Sequence, residues 1–427
     1  MESVGVGLLG LGTVGVAVAR RLIEQWELLG ERAGATPVLR VVAVRDVARS
    51  RDIDLKNVRL VDDPMAVVND PAVAIVVEVM GGLDPATALI ESALRAGKTV
   101  VTANKAVIAA SGPRLTALAS EHHARLYFEG SVGAGLPIIA LLRTSLLGDR
   151  IGALDCVING TTNVILTQMR GAGVSFAGAL ADAQRRGFAE ADPSLDVDGW
   201  DAVQKLVILV WLAFGVSVTP DAVDRVGIGD VSGTDVAALA QLGYRVRLLA
   251  HAEHGPGDTF HLRVRPTAVG PGHLLHDVDD ADNAVIISSD LAGTVMLRGL
   301  GAGGDSTASA VVSDVVTAVR DKGDRPVQNV AARVDPAVMS PEDVEVAGYV
   351  RVRLSSETEA RALVLQALED RGLAVDAAVD LPGSELIVLT GLAPRAVHDR
   401  AMETLDTLTS VDDILGALDR VEAPAAT

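Results

Sequence analysis

Cysteine is almost missing from this chain: a single one, Cys156, stands among 427 residues. That excludes an intrachain disulfide framework and any metal centre built on several thiolates, and it fits a reducing compartment. Aromatic side chains are scarce too, at 3% against 49% hydrophobic residues. The core must therefore be filled mainly by Val, Ala and Leu, the usual material of parallel sheets covered by helices. Basic charge is in deficit: the net charge of −19 repels phosphate backbones and anionic lipid, which argues against work on nucleic acid or at a membrane surface. The longest apolar run, Leu206 to Val218, falls short of the ~20 residues needed to span a bilayer and reads as a buried helix. The N-terminus enters a strand pattern almost at once, Val4-Gly-Val-Gly-Leu-Leu, with no basic leader ahead of an apolar stretch. A cytoplasmic location is expected.

A chain of this length divides into two or three domains. Residues 4–9 form a short apolar run that breaks into glycines and then into a helical pattern, Val14 to Leu29, with Val14, Val18, Leu22 and Trp26 at helical spacing. Further apolar runs at 39–44, 73–79 and 99–102 are separated by helical stretches. Strands alternating with helices predict an α/β fold with a doubly wound parallel sheet over residues 1–130. Beyond that point come glycine-rich turns, an apolar helix at 200–214 and alternating stretches at 260–264 and 284–287. These predict a second, α+β domain over 131–305, with a helix at 306–320 returning to the first. Residues 321–345 mix charge with three prolines and read as a linker. The unit that follows, 346–427, reads strand, helix, strand, strand, helix, a ferredoxin-like order.

Gly10-Leu11-Gly12-Thr13-Val14-Gly15 sits between the first strand and the first helix, where a dinucleotide-binding fingerprint belongs. Gly10 permits the tight turn, Gly12 lets backbone approach a pyrophosphate, and Gly15 allows close packing of helix on strand, while the helix N–H groups attract the anion. The second strand ends in Arg45-Asp46. An acid there accepts from a ribose diol and a cation suits a 2′-phosphate, so NAD, NADP or either remains open.

Five acids, Glu190, Asp192, Asp196, Asp198 and Asp201, crowd the segment before Lys205. They lack the odd-position ligands, central glycine and closing glutamate of a calcium loop. Asp201 and Lys205, four apart, share one face at the mouth of the apolar helix. An inward lysine needs a compensating carboxylate; an exposed pair of small energetic value has the same spacing. Lys105 follows the fourth strand, at the end of an open sheet where ligands bind. A lysine there suits proton donation or the holding of developing negative charge.

Together these segments resemble the homoserine dehydrogenase family. The stretches that carry the likeness are GLLGLGTVG, GGLDPATALIESALRAGKTVVTANKA, FEGSVGAGLPII, INGTTNVIL, GFAEADPSLDVDGWDAVQK and GAGGDSTASAVVSDV, in that order through most of the first 320 residues. The resemblance implies a Rossmann-type cofactor domain and the reversible, NAD(P)-dependent interconversion of L-homoserine and L-aspartate 4-semialdehyde, a step of threonine, methionine and isoleucine biosynthesis. It implies that Glu190 and Asp201, with Gly187, bind substrate and that Lys205 and Lys105 handle the proton of the alcohol oxygen. Gly301 and Gly303 would face the cofactor with Gly10, Gly12, Thr13, Val14, Gly15, Arg45 and Lys105. A monovalent cation, sodium, would be held by main-chain oxygens of Glu129, Val132, Ala134 and Leu136, and the second domains would pair into a homodimer or higher oligomer.

Two rivals are weighed. A thioester-forming aldehyde dehydrogenase needs an activated cysteine, and those enzymes carry Cys-Thr-Thr-Asn where this chain has Gly160-Thr161-Thr162-Asn163; Cys156 is assigned to the core. A non-catalytic amino-acid sensor would not need Lys105, Glu190, Asp201 and Lys205. Residues 346–420 resemble an ACT domain, the module through which relatives are inhibited by threonine. Here Ser355-Ser-Glu-Thr-Glu-Ala replaces the usual Asp-x-Pro-Gly-type turn, and Asp305-Ser306 stands where the family has a proline before Thr307.

Overall fold

The computed structural model describes residues 2–171, 173–321, 332–334, 336–356 and 358–423. Its first sheet has six strands in the order Arg59–Val61, Thr36–Ala43, Ser3–Leu9, Ile75–Glu78, Thr99–Thr102 and Leu126–Tyr127, all parallel. The chain winds outward in both directions from the pair Ser3–Leu9 and Ile75–Glu78, so a crevice opens beyond their carboxyl ends. Val6, Leu8, Val42 and Val77 are fully buried, as runs of β-branched and aliphatic residues must be when helices cover both faces.

The helical stretch after the glycines is two helices, Thr13–Glu24 and Trp26–Ala33, broken at Gln25. The stripe Val14, Val18, Leu22, Trp26 does not continue because Trp26 is half exposed. The kink instead turns Leu29 and Ala33 onto the sheet. Helix Gly304–Asp321 comes back from the second domain and packs with Val311, Val312 and Val315 in the same core as Val18 and Leu22.

The second sheet runs Thr294–Leu300, Asp282–Ser289, Ile151–Val157, Arg245–His254, Thr259–Val269, and continues through the last unit as Val411–Val421, Glu345–Leu354, Glu385–Pro394 and Val375–Leu381. Helices Gly160–Met169 and Trp200–Phe214 cover one face of its first half. The C-terminal unit is strand, helix, strand, strand, helix, strand, with helices Ala360–Asp370 and Arg395–Thr407. Its last strand both closes the ferredoxin-like sheet and pairs in parallel with Thr259–Val269, so two domains share one continuous sheet. Of the segment read as a linker, 322–331 and 335 lie outside the described residues. Its described remainder is not a free tether: Arg333–Val334 pairs with Val216–Ser217, and Ala337–Val338 with Thr259–Phe260.

Candidate active site

Beside the crevice, a hydrogen-bonded clamp ties the carboxyl ends of strands Ile75–Glu78 and Thr99–Thr102 together. Glu78, fully buried at the end of its strand, accepts from the Met80 N–H at 2.7 Å and from the Thr102 hydroxyl at 2.6 Å. Thr102 in turn accepts from the Asn104 N–H at 3.0 Å. Asn104 caps helix Lys105–Glu121 by accepting from the Val107 N–H, and its amide donates to Gly82 O at 2.7 Å. These contacts fix where Lys105, the first residue of that helix, leaves the sheet.

Of the turn glycines, Gly10 is left-handed with φ 99°, and a Cβ on Gly15 would come within 2.3 Å of Gly10 O. Apart from its own chain neighbours, no protein atom approaches within 4 Å of where a Gly12 Cβ would stand, and no side chain caps the helix that Gly12 opens. The N–H groups around Thr13 and Val14 are thus free to meet an anion. A cleft of about 430 Å³ on one side of the turn is rimmed by Arg45, Asp46, Arg49 and Arg51. On the other side a larger cleft, about 740 Å³, is lined by Thr13, Lys105, Gly187, Glu190, Asp201 and Lys205, with Gly301 and Gly303 on the returning segment. Arg49 and Arg51 were not singled out from sequence, although basic residues four and six after Arg45, just past the second strand, were there to be read.

Two helices from different domains bring the lysines together. Gly112 of helix Lys105–Glu121 leaves room for the Trp211 ring of helix Trp200–Phe214; a Cβ there would sit 2.7 Å from it. Trp211 also stacks on Phe128, with ring centroids 5.6 Å apart. At the cleft end of this contact the buried Asp201 carboxylate takes Lys205 Nζ at 2.7 Å on one oxygen and Lys105 Nζ at 3.1 Å on the other. The pair is therefore not a solvated i, i+4 contact: the Lys205 side chain is 12% exposed and Lys105 39%. Burial alone would push the Asp201 carboxyl up, but the Lys205 and Lys105 charges outweigh it and hold it down at about 2. The Asp201 charge, against the effect of burial, raises the Lys105 ammonium above its ordinary value.

Sequence reasoning missed Asn159. Its side chain caps helix Gly160–Met169 by accepting from the Thr162 N–H, and donates to Asp201 at 2.8 Å and Asp196 at 2.7 Å. Burial, eased by that hydrogen bond, lifts the Asp196 carboxyl. The local cap signal was available; its second use, orienting two carboxylates 37 and 42 residues further along the chain, was not. Glu190 stands exposed at the rim. The turn Glu129–Leu136 lies where the domains join: Glu129 accepts from the Ile139 and Ala140 N–H groups at 2.9 and 2.6 Å and donates its own N–H to Asp314 at 2.8 Å. Gly133 and Ala134 are both left-handed, with φ 70° and 51°. Cys156 is fully buried, and burial pushes its thiol up; it has the reactivity of a core residue rather than of a nucleophile.

Comparison with known proteins identifies the family. The family model for homoserine dehydrogenase matches residues 137–316, and that for the homoserine dehydrogenase NAD binding domain matches residues 10–129. The chain is 44% identical to a homoserine dehydrogenase of Synechocystis over 325 residues, 74% of this chain and 73% of that one. It is 38% identical to one of Mycobacterium tuberculosis over 430 residues, covering 97% and 96%. The crystal structure of a homoserine dehydrogenase from Thiobacillus denitrificans superposes with a TM-score of 0.92 at 35% identity over 99% of both chains. A hyperthermophilic archaeal homoserine dehydrogenase in complex with NADPH superposes with a TM-score of 0.63 at 32% identity, matching 74% of this chain and 98% of its own. With a dinucleotide crevice opening onto a carboxylate that carries two lysines, and relatives alike along nearly the whole length, this chain belongs to the homoserine dehydrogenase family, NAD(P)-dependent oxidoreductases that interconvert L-homoserine and L-aspartate 4-semialdehyde.

Proposed function

We propose that Asp201 is the fixed charge around which two lysines divide the proton chemistry. The observation that carries this is one carboxylate bridging Lys205 and Lys105 in the cleft beside the glycine turn. The bound nicotinamide supplies or takes the hydride; the protein must hold the reacting carbon in place and match the charge of the oxygen. Lys205 spends two of its three N–H donors on Asp201 and on Ile158 O at 2.6 Å, which leaves one for the substrate oxygen. Lys105, more exposed and kept cationic by Asp201, delivers the proton in reduction and exchanges it with solvent. Glu190 and Asp196, with the turn at Gly187, take the substrate's ammonium end at the acidic rim. Lys205→Ala and Lys105→Ala are expected to lower turnover of homoserine by at least ~100-fold with circular dichroism unchanged, in line with loss of a positioned proton donor. Undiminished turnover in both variants refutes the assignment.

The cofactor reading is NADP. Asp46 turns its carboxylate back to the Ala48 N–H at 2.9 Å, while Arg45, Arg49 and Arg51 rim the cleft with three guanidiniums, a donor set for a 2′-phosphate; that an archaeal relative is solved in complex with NADPH supports the reading. The main-chain oxygens of Glu129, Val132, Ala134 and Leu136 would hold a sodium ion, since neutral carbonyls on a tightly reversed turn suit a hard monovalent cation. Such an ion would brace the junction of cofactor domain (1–130 with the helix returning at 306–320) and substrate domain (131–305). A cytoplasmic homodimer paired through the substrate domains completes the reading. Among the described residues no helix is long and apolar enough to cross a membrane.

A further inference from the structure

The sheet of the second domain carries a second cluster of chemically competent side chains, on the face turned away from the lysines. Along strand Arg245–His254, Val246, Leu248, Ala250 and Ala252 face the helices, so by the period of two His251 and Glu253 point to the other side. His261, on the neighbouring antiparallel strand, stands directly opposite Glu253 in the register. Two donors at i and i+2 and a third across the ladder converge on one point. One ligand atom from each of His251, Glu253 and His261 lies within 4.8 Å of the others, and His251 Nε2 stands 3.6 Å from a Glu253 oxygen. Zinc–nitrogen bonds of ~2.0–2.1 Å place two donors of a tetrahedral ion ~3.3 Å apart, so small side-chain rotations complete the set.

Metal-binding histidines are oriented by a partner on the other ring nitrogen, and His251 has one. Asp155 lies across the ladder from it on strand Ile151–Val157 and holds His251 Nδ1 at 2.8 Å. Nε2 is thereby presented toward Glu253 and His261. The His251 and His261 rings sit 5.0 Å apart and tilted by 60°, so neither covers the other's edge. Two guanidiniums act on His261, Arg263, which stands opposite His251 in the register, and Arg395, and both are held on the Asp419 carboxylate, at 3.3 and 2.7 Å. Both imidazoles are largely shielded, whereas the Glu253 side chain is 55% exposed, which gives an ion an entry path and room for a water ligand.

We propose that His251, Glu253 and His261 form a site for one divalent transition-metal ion of the zinc class, bracing two adjacent strands and separate from the cofactor, the substrate and the monovalent-cation turn. Nitrogen and carboxylate donors suit Zn2+, Co2+ or Ni2+ over Mg2+ or Ca2+.

The test is calorimetric titration of chelator-treated, full-length protein with ZnCl2, together with the visible absorption of the Co2+ form. One ion per chain, with a Co2+ band of low coordination number, is expected in wild type. Binding should be lost in His261→Ala and weakened at least ~10-fold in Asp155→Asn, the range seen when an outer partner of a ligating histidine is removed. Glu253→Gln, at an exposed position that leaves folding untouched, should weaken binding and shift the Co2+ spectrum, and it carries the test if His261→Ala fails to fold. Absence of saturable binding in wild type, or binding in Glu253→Gln indistinguishable from wild type, overturns the proposal.

Discussion

Replacing Asp201 by Asn keeps the shape of the side chain and removes only the charge that the two lysines share. Asp201 is buried and its oxygens meet Lys205, Lys105 and Asn159. Removing one partner of a buried ion pair costs ~3–5 kcal/mol, because the other charge is left uncompensated. Here one lysine is partly solvated and the other keeps Ile158 O, so the low end applies, about 3 kcal/mol. The Asn amide also turns a donor toward donors, either an ammonium or the Asn159 side chain. If that energy holds the lysines in their working positions, turnover falls by roughly 100-fold at 1.36 kcal/mol per decade. The pH dependence gives an independent readout. Asp201 raises Lys105 above its ordinary value, so wild type keeps the ammonium as pH climbs. Without the carboxylate it is lost earlier, and the alkaline limb of the reductive rate moves to lower pH. The assay is NADPH oxidation with aspartate semialdehyde, with kcat and KM separated across pH and folding checked by circular dichroism. A variant within threefold of wild type, with its alkaline limb unmoved, refutes the account.

Arg49→Ala is expected to weaken NADPH about 10- to 100-fold and leave NADH nearly unchanged, the loss of a charge-assisted contact of ~1.5–3 kcal/mol; equal losses for both cofactors in binding titrations count against a 2′-phosphate contact. The Asp314 carboxyl, buried beside Glu129, is pushed up to about 8 by burial and then by the Glu129 charge. A carboxyl raised in the folded state contributes stability that is complete below its ordinary pKa near 4 and drains away as pH rises toward 8. Asp314→Asn should flatten the decline of melting temperature between pH 5 and 8, and parallel curves for variant and wild type would show that Asp314 is ionised in the fold.

Much of the fold was legible because its signals are local. Helix Trp200–Phe214 lies where the apolar run placed it, bounded by left-handed Gly199 and Gly215, residues that stop a helix without strain. Strand Thr99–Thr102 and the glycine turn were equally plain. Strand Arg245–His254 escaped because its second face carries Arg245, Arg247, His251 and Glu253, charged residues whose burial or exposure depends on what lies across the ladder. The final strand, Val411–Val421, hides its period of two behind acids at 412, 413 and 419, of which Asp419 is buried against Arg263 and Arg395.

The sequence by itself determined the parallel cofactor sheet, the site of the phosphate-binding turn and the shared helix face of Asp201 and Lys205, since glycine spacing and periods of 2 and 3.6 are properties of short segments. Only the tertiary structure decided that this pair is buried and that Lys105 and Asn159 join it. It alone set His261 opposite Glu253 and turned the described ends of the linker segment into strands. The energy of a charge depends on its burial and on partners brought from distant parts of the chain, and those are fixed by packing such as Trp211 against Gly112, which no short stretch of sequence contains.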